Sequence, residues 1–336
     1  MKKILAFAKR DLKNHFDHPG GYVVFVVFLG LSLFLYFRST LVVSEASLRP
    51  LFSILPWLLL FLVSAVTMRS LAADEKEGVT EVFLSEPVTP LQYVIGKYLG
   101  ALVISLSGVF LTIPVLLVLA RFGPFDWGLV IAQYLGTVLL VGAMTAIGFF
   151  ASGLTKNQIV AFIVSIAILF FFVILGWEAA LGSISLQFAD FIQRASILWH
   201  FSNITRGVID LRDALYFISL TLIFLSFAYA GFMRSRLAPS SSQKKRLRSW
   251  TLALVILALI WNIAAQFIPL RLDLTGGHLY TLSGATKRIV KSLQDPVTIT
   301  LYSSENLPSE LAIAKRDVLD MLNDYRSIAK GKVVLE

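Results

Sequence analysis

The residues of this 336-residue chain that could do chemistry are few and unevenly placed. Five acids crowd one segment, Arg69–Lys97 (RSLAADEKEGVTEVFLSEPVTPLQYVIGK): Asp74, Glu75, Glu77, Glu81 and Glu86. Carboxylates at that density form either a solvated charge run or a surface that pairs with Arg and Lys of another protein. Val82, Phe83 and Leu84 add apolar anchors, and Pro87 and Pro90 bracket a turn, so the segment is also suited to docking. The histidines His15, His18, His200 and His278 are scattered. His15, Asp17 and His18 lie together, but the Pro19-Gly20 that follows favours an ordinary solvated turn over a metal site. Cysteine is absent, which excludes disulfides, thiolate metal sites and Cys nucleophiles. A phosphate-cradling loop needs Gly-Lys followed by Ser or Thr. Here Gly96-Lys97 is followed by Tyr98 and Gly331-Lys332 by Val333, so any ATP this protein uses is bound by another chain.

The elements that must carry these residues are mostly apolar. The chain is 57% hydrophobic and 15% charged, with a mean hydropathy of +0.76. A soluble domain runs nearer 45–50% apolar and about 25% charged, so an ordinary soluble enzyme is excluded. Seven stretches are long enough for a membrane span: Gly21–Phe37, Leu51–Met68, Tyr98–Ala120, Trp127–Gly153, Gln158–Trp177, Ala214–Met233 and Trp250–Ile268. None contains Asp, Glu, Lys, Arg or His. Ion-coupled carriers and proton pumps place titratable groups at mid-depth, so that class is excluded as well. Gln133, Asn262 and Gln266 are the most polar embedded groups, and they read as interhelical hydrogen-bonding residues.

With the N-terminus inside, the inner segments hold 15 Lys/Arg and the outer loops before the last span hold 6. That asymmetry predicts a cytoplasmic N-terminus and, after seven spans, an extracytoplasmic C-terminal part. The net charge of +9 is explained by these basic flanks and anionic lipid, without nucleic acid. Residues 1–20 are not a signal peptide, because Lys9, Arg10 and Lys13 interrupt the apolar run. Ile4, Leu5, Ala8, Leu12 and Phe16 recur instead at helical spacing, which predicts an amphipathic interfacial helix. Residues 236–249, with Pro239 and a Ser run ahead of Lys244, Lys245, Arg246 and Arg248, read as a basic flexible linker to a tether helix over 250–268. Beyond it, Ser283 predicts a helix cap, Val297, Ile299 and Leu301 a strand, Ser309–Ala329 a helix and Lys332–Leu335 a further strand. Residues 269–336 therefore read as a small α/β domain, short enough that the chain is expected to stop inside it.

The acidic segment also carries a resemblance. Glu75, Gly78, Glu81, Leu84, Pro87, Gly96 and Lys97 form a pattern similar to that of ABC-2 type transporter permeases of the gliding-motility branch, with Val79 where the family usually has Thr. The stretch Glu178–Asp213, with Phe188, Phe191, Ile192, Ile197, Leu198 and Trp199, agrees with interfacial helices of that family. The resemblance covers about residues 1–235. It implies that residues 21–235 are a six-span exporter permease, dimeric, with a separate ATP-binding subunit that holds ATP and Mg²⁺. Asp74, Glu75, Glu77, Gly78, Glu81, Leu84 and Pro87 would then be the residues that couple the chain to that ATPase.

From Trp250 onward the chain resembles the start of the auxiliary protein of gliding-motility ABC transporters, through Asp273, Leu274, Thr275, Tyr280, Leu282, Ser283, Thr286, Pro296 and Val297. A permease and a partial auxiliary domain then appear fused, and a further auxiliary extracytoplasmic protein is an expected partner. The predicted architecture is an all-α polytopic membrane protein, six permease spans plus a tether span, ending in a small, incomplete α/β extracytoplasmic domain. The expected location is the plasma (inner) membrane. A membrane scaffold that anchors surface machinery is the alternative function, and no catalytic constellation supports an intramembrane enzyme.

Overall fold

The computed structural model describes residues 2–43, 47–80, 88–121, 126–176, 192, 195–234, 236, 242–266, 268, 270–303, 318–319, 321–326, 328–329 and 331–335. Its elements are α1 (Lys2–Phe16), α2 (Pro19–Val43), α3 (Arg49–Thr67), α4 (Ala72–Lys76), α5 (Pro90–Phe110), α6 (Ile113–Leu119), α7 (Trp127–Ser152), α8 (Gln158–Ile174), α9 (Ile197–Thr205), β1 (Val208–Asp210), α10 (Leu211–Arg234), α11 (Ser242–Ala265), β2 (Arg271–Asp273), α12 (Gly284–Lys291), β3 (Val297–Ile299) and β4 (Val333–Leu335). Among the described residues, six helical stretches are long and apolar enough to cross a membrane: Pro19–Thr40, Arg49–Lys76, Pro90–Leu119, Trp127–Ser152, Leu211–Arg234 and Ser242–Ala265. The expected span over Gln158–Trp177 is a 17-residue helix that ends at Ile174. Gly176 lies two residues beyond, and Ser196 packs where its side chain would stand.

The third expected span begins at Pro90 rather than Tyr98, because Thr89 and Gln92 form a complete capping box and Pro90 takes the first helical position. It breaks at Leu111–Thr112, and α6 continues behind Pro114. Helix α7 is central and touches α3, α5, α8, α9 and α10. Of its 26 residues 17 are buried within the protein, whereas α11 buries 2 of 24. The reason lies in their side chains. Ala132, Gly136, Gly142, Ala143, Ala146, Gly148 and Ala151 leave room on α7 for its neighbours' side chains, such as Ile204 against Gly136 and Thr67 and Ser165 against Gly148. Helix α11 buries Ala258 and Ala265 against α10, where Asn262 Nδ2 donates to Ser219 Oγ at 2.7 Å, and exposes Trp250, Ile256, Ile260 and Ile263. Asn262 is therefore the interhelical hydrogen-bonding residue its sequence position predicts.

Residues 242–249, expected within the flexible linker, are helical. They form the first two turns of α11, since Gln243, Lys244, Lys245, Arg246, Leu247 and Arg248 are all good helix formers. Residues 237–241 of the expected linker lie outside the described residues. In the C-terminal part, Ser283 Oγ accepts from Thr286 N at 3.1 Å and caps α12 as predicted. Strands β3 and β4 pair in parallel, Val297 with Val333 through Ile299 with Leu335. Val290, Ala329 and Val333 form a small core of their own there. Of the helix expected over 309–329, residues 309–317 lie outside the described residues, and 318–319 and 321–326 are helical.

Candidate functional site

The described part of the acidic segment, residues 69–80 and 88–97, lies at one end of the bundle, with α1, the start of α5 and the end of α10. Helices α1 and α5 pack closely because α5 presents Gly96 and Gly100 one turn apart. A Cβ on Gly96 would stand 2.8 Å from Phe7 Cβ and 2.9 Å from the Ile4 carbonyl, and one on Gly100 would stand 3.0 Å from Asp11 Cβ. The amphipathic helix is thus seated on a transmembrane helix, with Phe7 and Ala8 buried and Lys2, Lys3, Lys9 and Lys13 outward. Lys97, next to Gly96, is only 4% exposed. Its Nζ lies 2.7 Å from Asp74 Oδ2 and 3.1 Å from Asp11 Oδ1. Tyr93 OH donates to the same Asp74 oxygen at 2.7 Å. Burial pushes the Asp11 carboxyl above its ordinary range despite the pull of Lys97.

The network continues toward α10. The Tyr93 ring meets Phe7 edge-on at 5.5 Å and stacks on Phe232 at 5.2 Å. The Arg236 guanidinium covers the other side of this link, 3.7 Å from the Phe232 ring centre, and reaches Glu75 Oε1 at 3.1 Å. Helix α4 is therefore held by two of its own acids, Asp74 through Lys97 and Glu75 through Arg236. A third hold comes from Ser152, at the end of α7. Its Oγ accepts from Leu71 N at 3.0 Å and Ala72 N at 3.1 Å and donates to Met68 O at 3.2 Å. Sequence reading missed Ser152, which looks like one more small residue in an apolar span. Removing its hydroxyl by Ser152→Ala orphans two buried N–H groups, each worth about 1–3 kcal/mol. The expected result is a lowered thermal midpoint in detergent with insertion intact.

The expected coupling residues thus separate. Asp74 is buried and faces Lys97, and Glu75 is half-buried and paired. Glu77 and Gly78 face outward. Gly78, at φ +69°, sits in the left-handed region that glycine adopts without strain and ends the helical turn. Glu81, Leu84 and Pro87 lie outside the described residues. Gly96 and Lys97, matched in sequence to a family pattern, serve close helix approach and a buried ionic hub.

At the opposite end the C-terminal part meets the bundle. Strand β2 pairs antiparallel with β1, Val208 with Asp273, Ile209 with Leu272 and Asp210 with Arg271. Asp273 organises the turn that follows. Its Oδ1 accepts from Thr275 N at 3.0 Å and Thr275 Oγ1 at 2.6 Å, and its Oδ2 accepts from Tyr280 N and Thr281 Oγ1, both at 2.9 Å. Burial opposes its charge, but these four donors outweigh burial and hold the carboxyl below its ordinary range. Of the five expected motif residues, Asp273 and Tyr280 meet in this turn, Leu282 is buried beside it, and Ser283 and Thr286 make the α12 cap. Nearby, His200 Nδ1 lies 2.6 Å from Asp213 Oδ1, which also accepts from Asn203 Nδ2 at 3.2 Å, and Tyr216 stacks on the imidazole at 3.9 Å. This cluster ties α9 to α10. Sequence reading left it unmarked because α9 and α10 are separate elements.

A bundle of apolar helices arranged in this way defines an integral, multi-pass membrane protein. The family described as ABC-2 family transporter protein matches residues 23–232, and the chain belongs to that family. It is accordingly a transport membrane subunit. Residues 276–336 match a domain of unknown function (DUF7088). No curated protein matches the chain.

Proposed function

We propose that this chain is the permease subunit of an ATP-driven exporter of the gliding-motility branch, working with a separate ATP-binding subunit on which ATP and Mg²⁺ are held. Two permease chains line the pathway, and the ATPase docks at the end of the bundle that carries α4. The observation that best supports this reading is the mounting of α4. Lys97, Arg236 and Ser152 fix it to α1, α5, α7 and α10, while Glu77 and Gly78 face outward. A partner that engages the outward face moves a short helix already tied to four others. Co-expression with an ATPase subunit carrying a phosphate-binding loop, followed by reconstitution in liposomes, tests it. Co-purification and substrate-stimulated ATP turnover are expected, and a permease that recruits no ATPase would leave the scaffold reading instead.

The topology that goes with this function puts α4 in the cytoplasm and residues 269–336 outside. In intact cells a membrane-impermeant thiol reagent should label Ser303→Cys and spare Ser241→Cys. The reverse pattern overturns the orientation.

A further inference from the structure

The far end of the bundle holds the C-terminal segment by more than the tether helix. Three separate parts of the permease line the place where residues 270–276 lie. At the start of α7, Asp126 caps the helix with Oδ1, accepting from Leu129 N at 3.1 Å, and turns Oδ2 to Gly276 N at 2.9 Å. Two residues on, Gly128 has no side chain, and the Leu274 carbonyl occupies the place its Cβ would take. After α9, Gly207 adopts φ +101°, and its carbonyl accepts from Leu274 N at 3.0 Å. Strand β1 then supplies the antiparallel ladder, and Leu211 N donates to Leu270 O at 3.0 Å just beyond it. Asp210, 3% exposed, receives Arg271 Nε at 3.3 Å and Arg212 Nη2 at 3.0 Å. Thr275 is equally enclosed, at 3% exposure.

From these contacts we infer that the far end of the permease is a strand-receiving surface that recognises the Arg271–Gly276 segment itself and captures it without the covalent connection through residues 237–241. Main-chain pairing provides the hold, as in strand addition to a sheet edge. Selectivity comes from three features of this segment: an arginine that reaches the buried Asp210, a threonine that fills the space beside Gly207, and a glycine amide that meets Asp126. Gly128 is the steric gate, since any side chain there displaces the Leu274 backbone.

A protease site placed within residues 237–241 of the full chain, cut after purification in detergent, tests the inference. The C-terminal fragment is expected to stay with the tagged permease. Gly128→Val should lower its retention at least tenfold, and Asn262→Ala, which removes the α10–α11 hydrogen bond, should leave retention near wild type. The second measurement uses the absence of cysteine. Ile209→Cys with Leu272→Cys places thiols at directly paired positions. Antiparallel partners at about 4.5–5.5 Å between Cα atoms lie within disulfide range. Oxidation after cutting should rejoin the two fragments covalently. Release of the fragment on cutting alone, undiminished retention in Gly128→Val, release in Asn262→Ala to the same extent, or failure of the cut fragments to cross-link would each overturn the inference.

Discussion

Replacing Lys97 with Met is expected to cost about 3–5 kcal/mol of stability, the range for removing one partner of a buried ion pair. The lysine is 4% exposed and serves two carboxylates, so its loss leaves Asp11 and Asp74 facing each other with no cation between them. Met keeps the stem length and the apolar packing, which makes charge the variable. The two acids should not respond alike when neutralised. Asp11→Asn leaves Lys97 paired one-to-one with Asp74 and removes a carboxyl that burial already pushes toward its neutral form, so its cost should be small. Asp74→Asn takes away the oxygen shared by Lys97 and Tyr93 and should cost more. Neutralising all three positions together should recover more than half of the Lys97→Met loss, because well-packed neutral groups escape the desolvation penalty. Thermal unfolding in detergent reads each variant. Lys97→Met at wild-type stability would show that α1, α4 and α5 are not joined through this hub.

Much of the architecture was open to sequence reading because a membrane imposes it. Charge-free apolar stretches had to be helices, and polar punctuation such as Thr89-Pro90, Asp126 and Asn157 marks where they start. Boundaries moved where capping chemistry outran hydropathy, as at Pro90. Helix α11 began earlier than its apolar run because lysine and arginine extend a helix as readily as they interrupt a hydrophobic plot. What could not be read was direction and distance. The acids of the 69–97 segment look equivalent in sequence, yet Asp74 turns inward to a lysine 23 residues on, and Glu75 meets an arginine 161 residues away. Strands β1 and β2 are three residues each and more than sixty residues apart, too short to show an alternating pattern before their pairing is known. Ser152 lacks any local signal, since its partners are backbone groups of another helix.

The inward turn of Asp74 and the pairing of Glu75 decide which substitution tests coupling cleanly. Reversing Glu75 would set a new cation against Arg236 inside the permease, so a lost ATPase could be blamed on a loosened α4. Glu77 is exposed, and Glu81 lies a few residues further along the same acidic segment. The double variant Glu77→Lys with Glu81→Lys therefore addresses the partner. Exposed ion pairs contribute only about 0.2–1 kcal/mol each, so removing the two charges with Gln should weaken docking by about 2- to 30-fold. Reversal acts differently: it sets like charges against a basic partner surface, which costs several kcal/mol and should lower ATPase recovery roughly a hundredfold. Thermal stability and insertion are expected at wild-type values, in contrast to Lys97→Met, because Glu77 faces outward and neither position falls in a charge-free apolar span. Raising the salt concentration should narrow the gap between the reversed and native proteins, since screening shortens the reach of exposed charges to about 8 Å at 0.15 M. Recovery of the ATPase unchanged by reversal at low salt would return these acids to the solvated charge run that their density alone also allows, and would place the docking surface elsewhere on this end of the bundle.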